Sequence, residues 1–373
     1  MDSRRRITIS DVAKKAGVSI ATVSRVLNGT DYPVKDSLRK AVLRAAEQMN
    51  YTPNFFGRSL KSGKSNDIGV ILPSMINPFY SEVIAGTEKE CRDAGYNPIF
   101  CSSNNEPEKE LEQIRLMRKK CVEGLLISTI NADSGPLRRY IMGNSNVVLF
   151  DQPAEGLSCG SVGYDFTLAG ALAAHYLTGK GHRRIAFLSP PLDRPSRRAI
   201  FKGFRRALEE SDVGFRPEDL IVLPSETALD EKGNYEFENG HRLARAFLKM
   251  HCPATAAVAI NDITAFGVIQ ELLRSGRRVP GDISVMGFDN INFSAMVNPA
   301  LTTVSQPSFE MGRLAARVLI GGLQKADRRE AAEHILLKPE VIERESVCTL
   351  RPGTDGTEKS MKSLDNQQKH PYT

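Results

Sequence analysis

Apolar residues near the N-terminus recur with the period of a short α-helix. Ile9, Val12, Ala13 and Ala16 have the i, i+3, i+4, i+7 spacing that places side chains on one helical face. Gly17 follows directly, and because glycine reaches positive φ at little cost, it can end the helix in a sharp turn. The pattern predicts a short amphipathic helix that stops at this glycine.

A second short helix is predicted after the turn. Ser19 is a typical N-cap, since its hydroxyl can accept a hydrogen bond from a free backbone N–H of the first turn. The residues expected to face inward are Val23, Val26 and Leu27. The residues on the opposite face are small or polar and include one guanidinium: Ala21, Ser24, Arg25 and Asn28. This arrangement is typical of a helix-turn-helix, whose second helix enters the major groove of DNA.

Positive charge is concentrated in the same part of the chain. Residues 1–65 carry 13 Lys and Arg against 5 Asp and Glu, a net charge of +8, whereas the whole 373-residue chain carries +6. Basic charge at one end is typical of a phosphate-binding module, because neutralising phosphates releases counterions. A solvated basic helical segment is the alternative, and the charge and the helical pattern together favour a DNA reader.

The chain then continues through a third helix to a short segment that begins at Pro53. Proline is tolerated at the first position of a helix, but residues 54–61 are too few to form a stable helix alone. A flexible linker is the alternative for this segment. Residues 61–66, KSGKSN, have the composition of a linker.

From Asp67 onward, short apolar runs alternate with helical patterns. The runs that predict buried strands are IGVILP, NPIF, GLLIS, VVLFD, RRIAFLS, LIVLP, AAVAI and ISVMGFD. Such alternation predicts α/β units with parallel sheets. The strands are too many for one sheet, so we expect two lobes: one over 67–164 with a segment near 293–323, and one over 165–292 with the C-terminal strands to about 349. Residues 351–373 are polar and are expected to be disordered.

The N-terminal sequence resembles that of a known family. DVAKKAGVSIATVSRVLNG, followed by NYTPNFFGRSLKSGKS, is similar to the headpiece of the LacI/GalR family of bacterial transcription regulators. The resemblance extends from about Thr8 to Val347, although the motifs beyond the headpiece are less specific. It implies a small all-α helix-turn-helix headpiece and an α/β two-lobed effector domain like that of periplasmic binding proteins, with ligand in the cleft between the lobes.

The resemblance also implies which residues contact DNA. Residues 54–61 would be a hinge helix that orders on the operator, where Leu60 wedges between base steps in the minor groove. Ile20 and Ala21 occupy the variable specificity positions. The full set of expected DNA contacts is Thr8, Ile9, Ser19, Ile20, Ala21, Thr22, Ser24, Arg25, Asn28, Asn54 and Leu60.

A candidate effector site follows from the polar residues at the ends of predicted strands. Ligands of doubly wound sheets bind beyond the carboxyl ends of the strands. The polar residues found there are Ser128, Asp151, Asn261, Asp262 and Asp289. Carboxylates and amides suit a polyhydroxylated ligand, because each can pair with vicinal hydroxyls. The alternative for each is a helix N-cap.

The family resemblance places effector contacts at Ser128, Asp151, Asn261 and Asp289, and it adds Phe79, Tyr80, Tyr235 and Gln306. One position departs from the family pattern. Where relatives have an arginine three residues before the glycine of R-x-x-G-F, this chain has Ile200 before Gly203, and the nearest arginines are Arg197 and Arg198. We therefore expect Arg197 as a substitute contact, and a neutral sugar or polyol in preference to a sugar acid.

Other classes of function fit less well. An exported sugar-binding protein would need a signal peptide, and MDSRRRITIS has no apolar core. An enzyme would need catalytic chemistry, and no G-x-S-x-G, P-loop, G-x-G-x-x-G or metal-ligand spacing is present. We expect no metal and no cofactor. The six scattered cysteines are expected to be buried apolar residues in a reducing compartment.

The sequence therefore predicts a DNA-binding transcriptional regulator that is not an enzyme, and the resemblance implies a repressor. Its expected partners are double-stranded operator DNA, a sugar-like effector and a second copy of itself in a homodimer. No membrane association is expected. The expected divisions are a headpiece over 1–53, a hinge and linker over 54–66, an effector domain over 67–350 and a tail over 351–373. The expected location is the bacterial cytoplasm, at the nucleoid.

Overall fold

The structure, a computed structural model, describes residues 7–27, 32–52, 65–131, 135–142, 146–152, 156–225, 235–324 and 333–350. The chain divides into two compact units, Met1–Ser65 and Asn66–Thr373. Most of the predicted hinge and linker segment and the whole predicted tail lie outside the described residues, as do Asn28, Asn54 and Leu60.

The described residues of the first unit contain three helices in the order that the hydrophobic pattern predicts: α1 (Ile9–Ala16), α2 (Ile20–Leu27) and α3 (Asp36–Gln48). α1 begins with a capping box, in which the side chains of Thr8 and Asp11 each accept from the other's backbone N–H. It ends at Gly17, whose φ of 66° is left-handed. The small shared core is formed by Val12, Ala13, Val23, Val26, Val42, Ala45 and Ala46.

The second unit is built on two six-stranded sheets among the described residues. The sheet of lobe 1 has the order β11-β5-β4-β3-β1-β2, and all its pairings are parallel. Its strands are β1 (Asp67–Leu72), β2 (Asn97–Ser102), β3 (Gly124–Ile127), β4 (Asn146–Asp151), β5 (Gly160–Tyr164) and β11 (His334–Leu337). The helices of this lobe are α4 (Pro78–Asp93), α5 (Pro107–Lys119), α6 (Gly135–Met142) and α11 (Ser308–Gln324).

The sheet of lobe 2 has the order β12-β10-β9-β8-β6-β7 and is parallel except at β12. Its strands are β6 (Ile185–Ser189), β7 (Leu220–Val222), β8 (Ala256–Ala259), β9 (Ser284–Asp289), β10 (Thr302–Ser305) and β12 (Glu340–Ile342). The helices are α7 (Phe166–Gly179), α8 (Pro195–Glu210), α9 (Tyr235–Lys249) and α10 (Asp262–Arg274), with 3₁₀ turns at Pro217–Asp219 and Asn292–Ala295.

Two details of the predicted lobe boundaries are wrong. The segment near 293–323 was expected in lobe 1, but only its helix α11 packs there, while β10 pairs with β9 in lobe 2. The C-terminal strands were expected in lobe 2, but β11 pairs with β5 in lobe 1 and only β12 joins lobe 2. The chain therefore crosses between lobes after β5, after β10 and after β11. Short edge strands carry too little hydrophobic pattern to show which sheet they complete.

Paired glycines bring helices into close contact in both lobes. In lobe 1, Gly86 of α4 lies against the backbone of Phe309, at the start of α11. In lobe 2, Gly170 of α7 lies against the carbonyl of Ile200 in α8, and Gly203 of α8 lies against the carbonyl of Thr167. A Cβ at any of these positions would overlap the facing backbone, so the crossings require glycine. The lobe 2 crossing fixes α8, whose N-terminus faces the cleft between the lobes.

The cysteines are only partly as predicted. Cys91 and Cys159 are buried, but Cys121 is exposed just after α5, in a left-handed conformation with a φ of 54°. Cys121 lies on the surface two residues after the end of this helix, so the expectation of burial is wrong there. No helix in the described part of the chain is long and apolar enough to cross a membrane.

Candidate functional site

The outward face of α2 is the candidate DNA-binding surface. Ser19 caps the helix as predicted, its hydroxyl accepting from the backbone N–H of Thr22 at 3.1 Å. Ile20, Ala21 and Arg25 are exposed, while Val23 and Val26 are buried. The helix therefore presents two apolar side chains and one guanidinium on a surface that does not pack against the core.

Thr8 and Arg25, like Ser19, also have roles within the headpiece. The Thr8 hydroxyl lies 2.7 Å from the Asp11 carboxylate in the capping box of α1. The Arg25 guanidinium lies over the ring of Tyr32, 4.0 Å from its centroid, a cation–π contact. Tyr32 was not singled out from the sequence, because it lies in the turn region after α2 and outside any helical pattern. Its ring restricts the conformations of Arg25.

The candidate effector site is a cavity between the two lobes. Eight of the nine expected effector residues line it: Phe79, Tyr80, Asp151, Arg197, Tyr235, Asn261, Asp289 and Gln306. The ninth, Ser128, is fully buried behind the wall, where its hydroxyl donates to Asp151 at 3.1 Å. Ser128 does not line the cavity, because Asp151 covers it.

Each lobe contributes one aspartate with unusual backbone geometry. Asp151, the last residue of β4, has a φ of 61°, and Asp289, the last residue of β9, has a φ of 113°. Non-glycine residues with positive φ are uncommon and tend to occur at functional sites. The two carboxyl groups approach the same cavity from opposite lobes.

The Asp151 carboxylate is held by three donors of lobe 1. Its Oδ2 accepts from the Tyr80 hydroxyl at 2.9 Å, from the Ser128 hydroxyl at 3.1 Å and from the Gln152 amide at 3.2 Å. Burial raises the pKa of Asp151, while these hydrogen bonds and the charge of Arg194 act in the opposite direction.

Asp289 is held differently. Its Oδ1 accepts from the Gln306 amide at 2.8 Å. Burial raises its pKa well above the usual value, and the nearby carboxylates of Asp262, Glu236 and Asp151 raise it further. A hydroxyl donor from a ligand would stabilise the ionised form that this environment disfavours.

Two amide oxygens of the wall also lack donors among the described residues. Gln152 and Gln306 each direct their amide nitrogen to a carboxylate, which leaves the amide oxygen buried without a hydrogen-bond partner. Buried acceptors without donors are uncommon in folded proteins and call for an explanation. Both oxygens are buried, next to the two aspartates whose carboxyl groups approach the cavity.

Asn261 has both of the roles considered from the sequence, since it is a helix N-cap and also lines the cavity. Its side-chain oxygen caps α10 by accepting from the Thr264 N–H at 2.9 Å, and its amide donates to Glu236 at 2.9 Å. Asp262, the next residue, does not line the cavity; it is fully buried, and its carboxylate accepts from Ile291, Ser294 and Thr303.

Arg197 lines the cavity next to Ile200, both on α8. Its guanidinium donates to the Pro191 carbonyl at 2.9 Å and to Asp193 at 3.3 Å. The structure thus places the expected substitute arginine at the wall but fixes part of it against its own loop.

Several lining residues had not been identified from the sequence: Asn77, Asn105, Gln152, Phe166, Arg194, Glu236 and Asn239. Phe166 begins α7 beside a crossover, and Asn77 precedes a predicted helix, so each had a signal for its position in the chain but none for the direction of its side chain. Gln152 could have been found, since it follows Asp151 directly at a strand end.

Comparison with known proteins decides the family. The description "Bacterial regulatory proteins, lacI family" matches residues 8–54, and "Periplasmic binding protein-like domain" matches residues 174–347. The repressor PurR of Proteus mirabilis is 33% identical over 349 residues, covering 91% of this chain and 97% of the relative. The chain belongs to the LacI family of bacterial regulators. It is a DNA-binding transcriptional regulator and not an enzyme.

Further members of the LacI family are similar to this chain over most of its length. The ribose operon repressor of Bacillus subtilis is 34% identical over 325 residues, covering 87% of this chain and 94% of the relative. A LacI family regulator from Enterococcus faecium, solved with bound ribose, is 26% identical with a TM-score of 0.66, covering 76% of this chain and all of the other. The predicted family and fold class are confirmed.

Proposed function

We propose that this regulator is a repressor that binds a near-palindromic operator as a homodimer and is switched by a neutral sugar or polyol in the cleft. The observation that carries the proposal is the pair of aspartates, Asp151 and Asp289, that approach one cavity from opposite lobes with positive φ. A ligand held between them can influence the angle between the lobes. Since its target is DNA, we expect the protein to act at the nucleoid in the bacterial cytoplasm.

The chemistry of the wall supports a polyhydroxylated ligand. The two aspartates are acceptors at the cavity, which sugar hydroxyls can satisfy as donors. Phe79, Phe166 and Tyr235 add aromatic surface for the apolar faces of a sugar ring. Because similar proteins are named for ribose or contain it, a pentose is the first ligand to test.

The charge of the wall supports a neutral ligand. Ile200 stands where the family pattern has an arginine, and Arg197 is bonded to its own loop. Arg194 also lines the cavity, but its charge acts on the Asp151 carboxylate, and Asp289 and Glu236 line the same cavity. Against these, an anionic sugar acid would meet like charge on both lobes.

The ligand class is tested by a thermal-shift screen of the full-length protein. Neutral pentoses and hexoses are compared with sugar phosphates, sugar acids and purines, and calorimetry follows for any compound that raises the melting temperature. Stabilisation by neutral sugars is expected. Stabilisation by the acids or the phosphates alone would contradict the proposal.

Substitution of Arg25 tests whether the outward face of α2 binds DNA. If Arg25 reads a guanine, Arg25→Ala should weaken operator binding by about 1–3 kcal/mol in a gel-shift titration at fixed salt. Arg44→Ala, which removes an exposed charge from α3, is the matched control for the general loss of positive charge. Equal losses in the two variants would show that Arg25 contributes only charge. Sedimentation of the protein–operator complex tests the dimer.

A further inference from the structure

Two asparagines of lobe 1 reach across the cleft to lobe 2. The Asn77 amide donates to Oε2 of Glu236 at 2.8 Å, and the Asn105 amide donates to the Tyr235 hydroxyl at 2.9 Å. The side-chain oxygen of Asn105 also accepts from the guanidinium of Arg194 at 3.1 Å. All five residues line the cavity, so these bonds join the two walls at the ligand site itself.

The sequence and backbone hold both asparagines in place. Asn77 is the N-cap of α4, and its side-chain oxygen accepts from the Phe79 N–H at 2.9 Å, which directs the amide nitrogen away from the helix. Asn105 and the preceding Asn104 both have positive φ, 58° and 52°. Such conformations are uncommon for non-glycine residues, and asparagine tolerates them best. The strain is therefore located where the side chain crosses the cleft.

On the lobe 2 side, the Glu236 carboxylate is shared between the lobes. Oε2 accepts from Asn77 of lobe 1, and Oε1 accepts from Asn261 of lobe 2 at 2.9 Å. Glu236 thus connects the N-cap of α4 to the N-cap of α10. A separation of the two lobes at this point breaks its bond to Asn77.

An opposing force lies in the same cavity. When Asp151 of lobe 1 and Asp289 of lobe 2 are both ionised, their carboxylates repel each other, which is why the charge of Asp151 raises the pKa of Asp289. The guanidinium of Arg194 in lobe 2 attracts Asp151 in lobe 1. Hydrogen bonds and one ion attraction therefore favour closure, whereas the paired carboxylates favour opening.

We propose that Asn77 and Asn105, with their partners Glu236, Tyr235 and Arg194, form a latch that sets the equilibrium between the open and closed cleft before any effector binds. An effector whose hydroxyls bridge the two aspartates would then shift an equilibrium that the latch has already positioned. This inference deepens the proposed function, since it concerns regulation of the same cleft. Its test needs no effector and does not depend on the effector's identity.

The latch is tested by Asn77→Asp in the full-length protein without ligand. Aspartate keeps the cap of α4, because its carboxylate can accept the same N–H and suits a helix N-terminus. It replaces the amide donor by a second carboxylate facing Glu236. Amide hydrogen exchange, read by mass spectrometry, should rise at least ~5-fold in the cleft segments 74–80 and 235–240, the factor that a typical hydrogen bond contributes.

The double variant Asn77→Asp/Glu236→Gln restores a donor and an acceptor in exchanged positions. Its amide nitrogen can donate to the new carboxylate while its oxygen accepts from Asn261, so exchange in the cleft should return to within about 2-fold of wild type. Asn97→Asp is the matched control. Asn97 donates to Asp67 at 3.3 Å between β1 and β2, so this change creates the same pair of like charges inside one lobe.

Asn105→Ala is an independent second variant, which removes two bonds across the cleft and should raise exchange in 103–107 and 190–197. Exchange at wild-type level in both Asn77→Asp and Asn105→Ala would overturn the proposal. Failure of the double variant to restore protection would do so too. An increase spread evenly over the sheet cores, as from general destabilisation, would also overturn it.

Discussion

The two lobes repeat one framework and differ in the chemistry that it carries. β4 of lobe 1 and β9 of lobe 2 occupy the same place in sheets of matching order, and each ends in an aspartate with positive φ. The helices α4 and α8 each begin at a proline six residues beyond the end of the corresponding strand, β1 or β6. Their N-caps, however, are Asn77 in lobe 1 and Arg194 in lobe 2.

This difference shows that the residues between the strands and helices vary independently of the packing beneath them. An asparagine cap uses its oxygen for the helix and has a donor left for the opposite lobe. An arginine at the matching position makes no side-chain cap but can reach the same opposite wall with its guanidinium. The duplicated fold thus places complementary groups at equivalent positions on the two walls of the cleft.

The largest expected effect tests whether the lobes share their packing as well as their topology. Gly170→Ala in lobe 2 and Gly86→Ala in lobe 1 each place a Cβ in the backbone of the facing helix. Both should lower the free energy of unfolding by about 3 kcal/mol, because a close-packed helix crossing must separate. Denaturant unfolding of the full-length protein measures the loss.

Gly179→Ala is the control for this pair. Gly179 lies near the end of α7 with no atom near the position of an added Cβ, so alanine should be neutral or stabilise by up to ~1 kcal/mol through its helix propensity. If Gly86→Ala behaved like this control while Gly170→Ala did not, only the lobe 2 crossing would depend on contact between backbones.

The regular parts of both lobes could be predicted from the sequence, because buried strands and amphipathic helices have strong periodic patterns. The edge strands could not be assigned in this way. β11 has alternating half-exposed residues, and its partner β5 is more than 150 positions away in the chain, so no local pattern identifies the sheet that it joins. Tertiary contacts decide which sheet such an edge strand joins.

The candidate site likewise contains residues that could be predicted from the sequence and residues that could not. Asp151 and Asp289 could be predicted because each stands directly after an apolar run. Asn105 and Glu236 could not, because each meets its partner only when the lobes come together. Ser128 was expected to contact the effector because it follows the predicted strand β3. Its side chain instead donates to Asp151 behind the cavity wall, and this packing cannot be read from the sequence.

The second prediction compares the two aspartates. Asp289→Ala and Asp151→Ala should each weaken binding of a sugar identified in the thermal-shift screen by about 10- to 100-fold, the range for a hydrogen bond to a charged group. Calorimetry of the full-length protein measures the affinity. Operator affinity without sugar should change little, because the two sites are coupled but distinct.

Asp212→Ala is the matched control for these variants. Asp212 also has a positive φ, of 53°, but it lies on the surface after α8 and does not line the cavity. It separates the cost of placing alanine in a strained conformation from the loss of a ligand contact. Wild-type sugar affinity in Asp289→Ala would show that the lobe 2 aspartate is only structural and that the two lobes do not share the ligand.

The smallest expected effect concerns Asp262, a carboxyl group buried beneath the wall of lobe 2. Asp262 is fully buried, and burial raises its pKa to about 7, against the hydrogen bonds from Ser294, Thr303 and Ile291 that act to lower it. A raised pKa means that the folded state binds the proton more tightly than the unfolded state does. The stability from this group is therefore fully present below the unfolded pKa of about 4 and is lost as pH rises through 7.

Asp262→Asn removes that titration while keeping one side-chain acceptor. The free energy of unfolding of the wild type should fall between pH 5 and pH 8 relative to the variant, by at most ~1.4 kcal/mol per pH unit. Denaturant unfolding at four pH values measures the difference in slope, which is independent of any constant loss caused by the substitution. Glu110→Gln gives the comparison in lobe 1, where burial also raises the pKa of a carboxyl group. Parallel curves for wild type and Asp262→Asn would mean that Asp262 is ionised throughout this range, and that its three hydrogen bonds outweigh the cost of burying its charge.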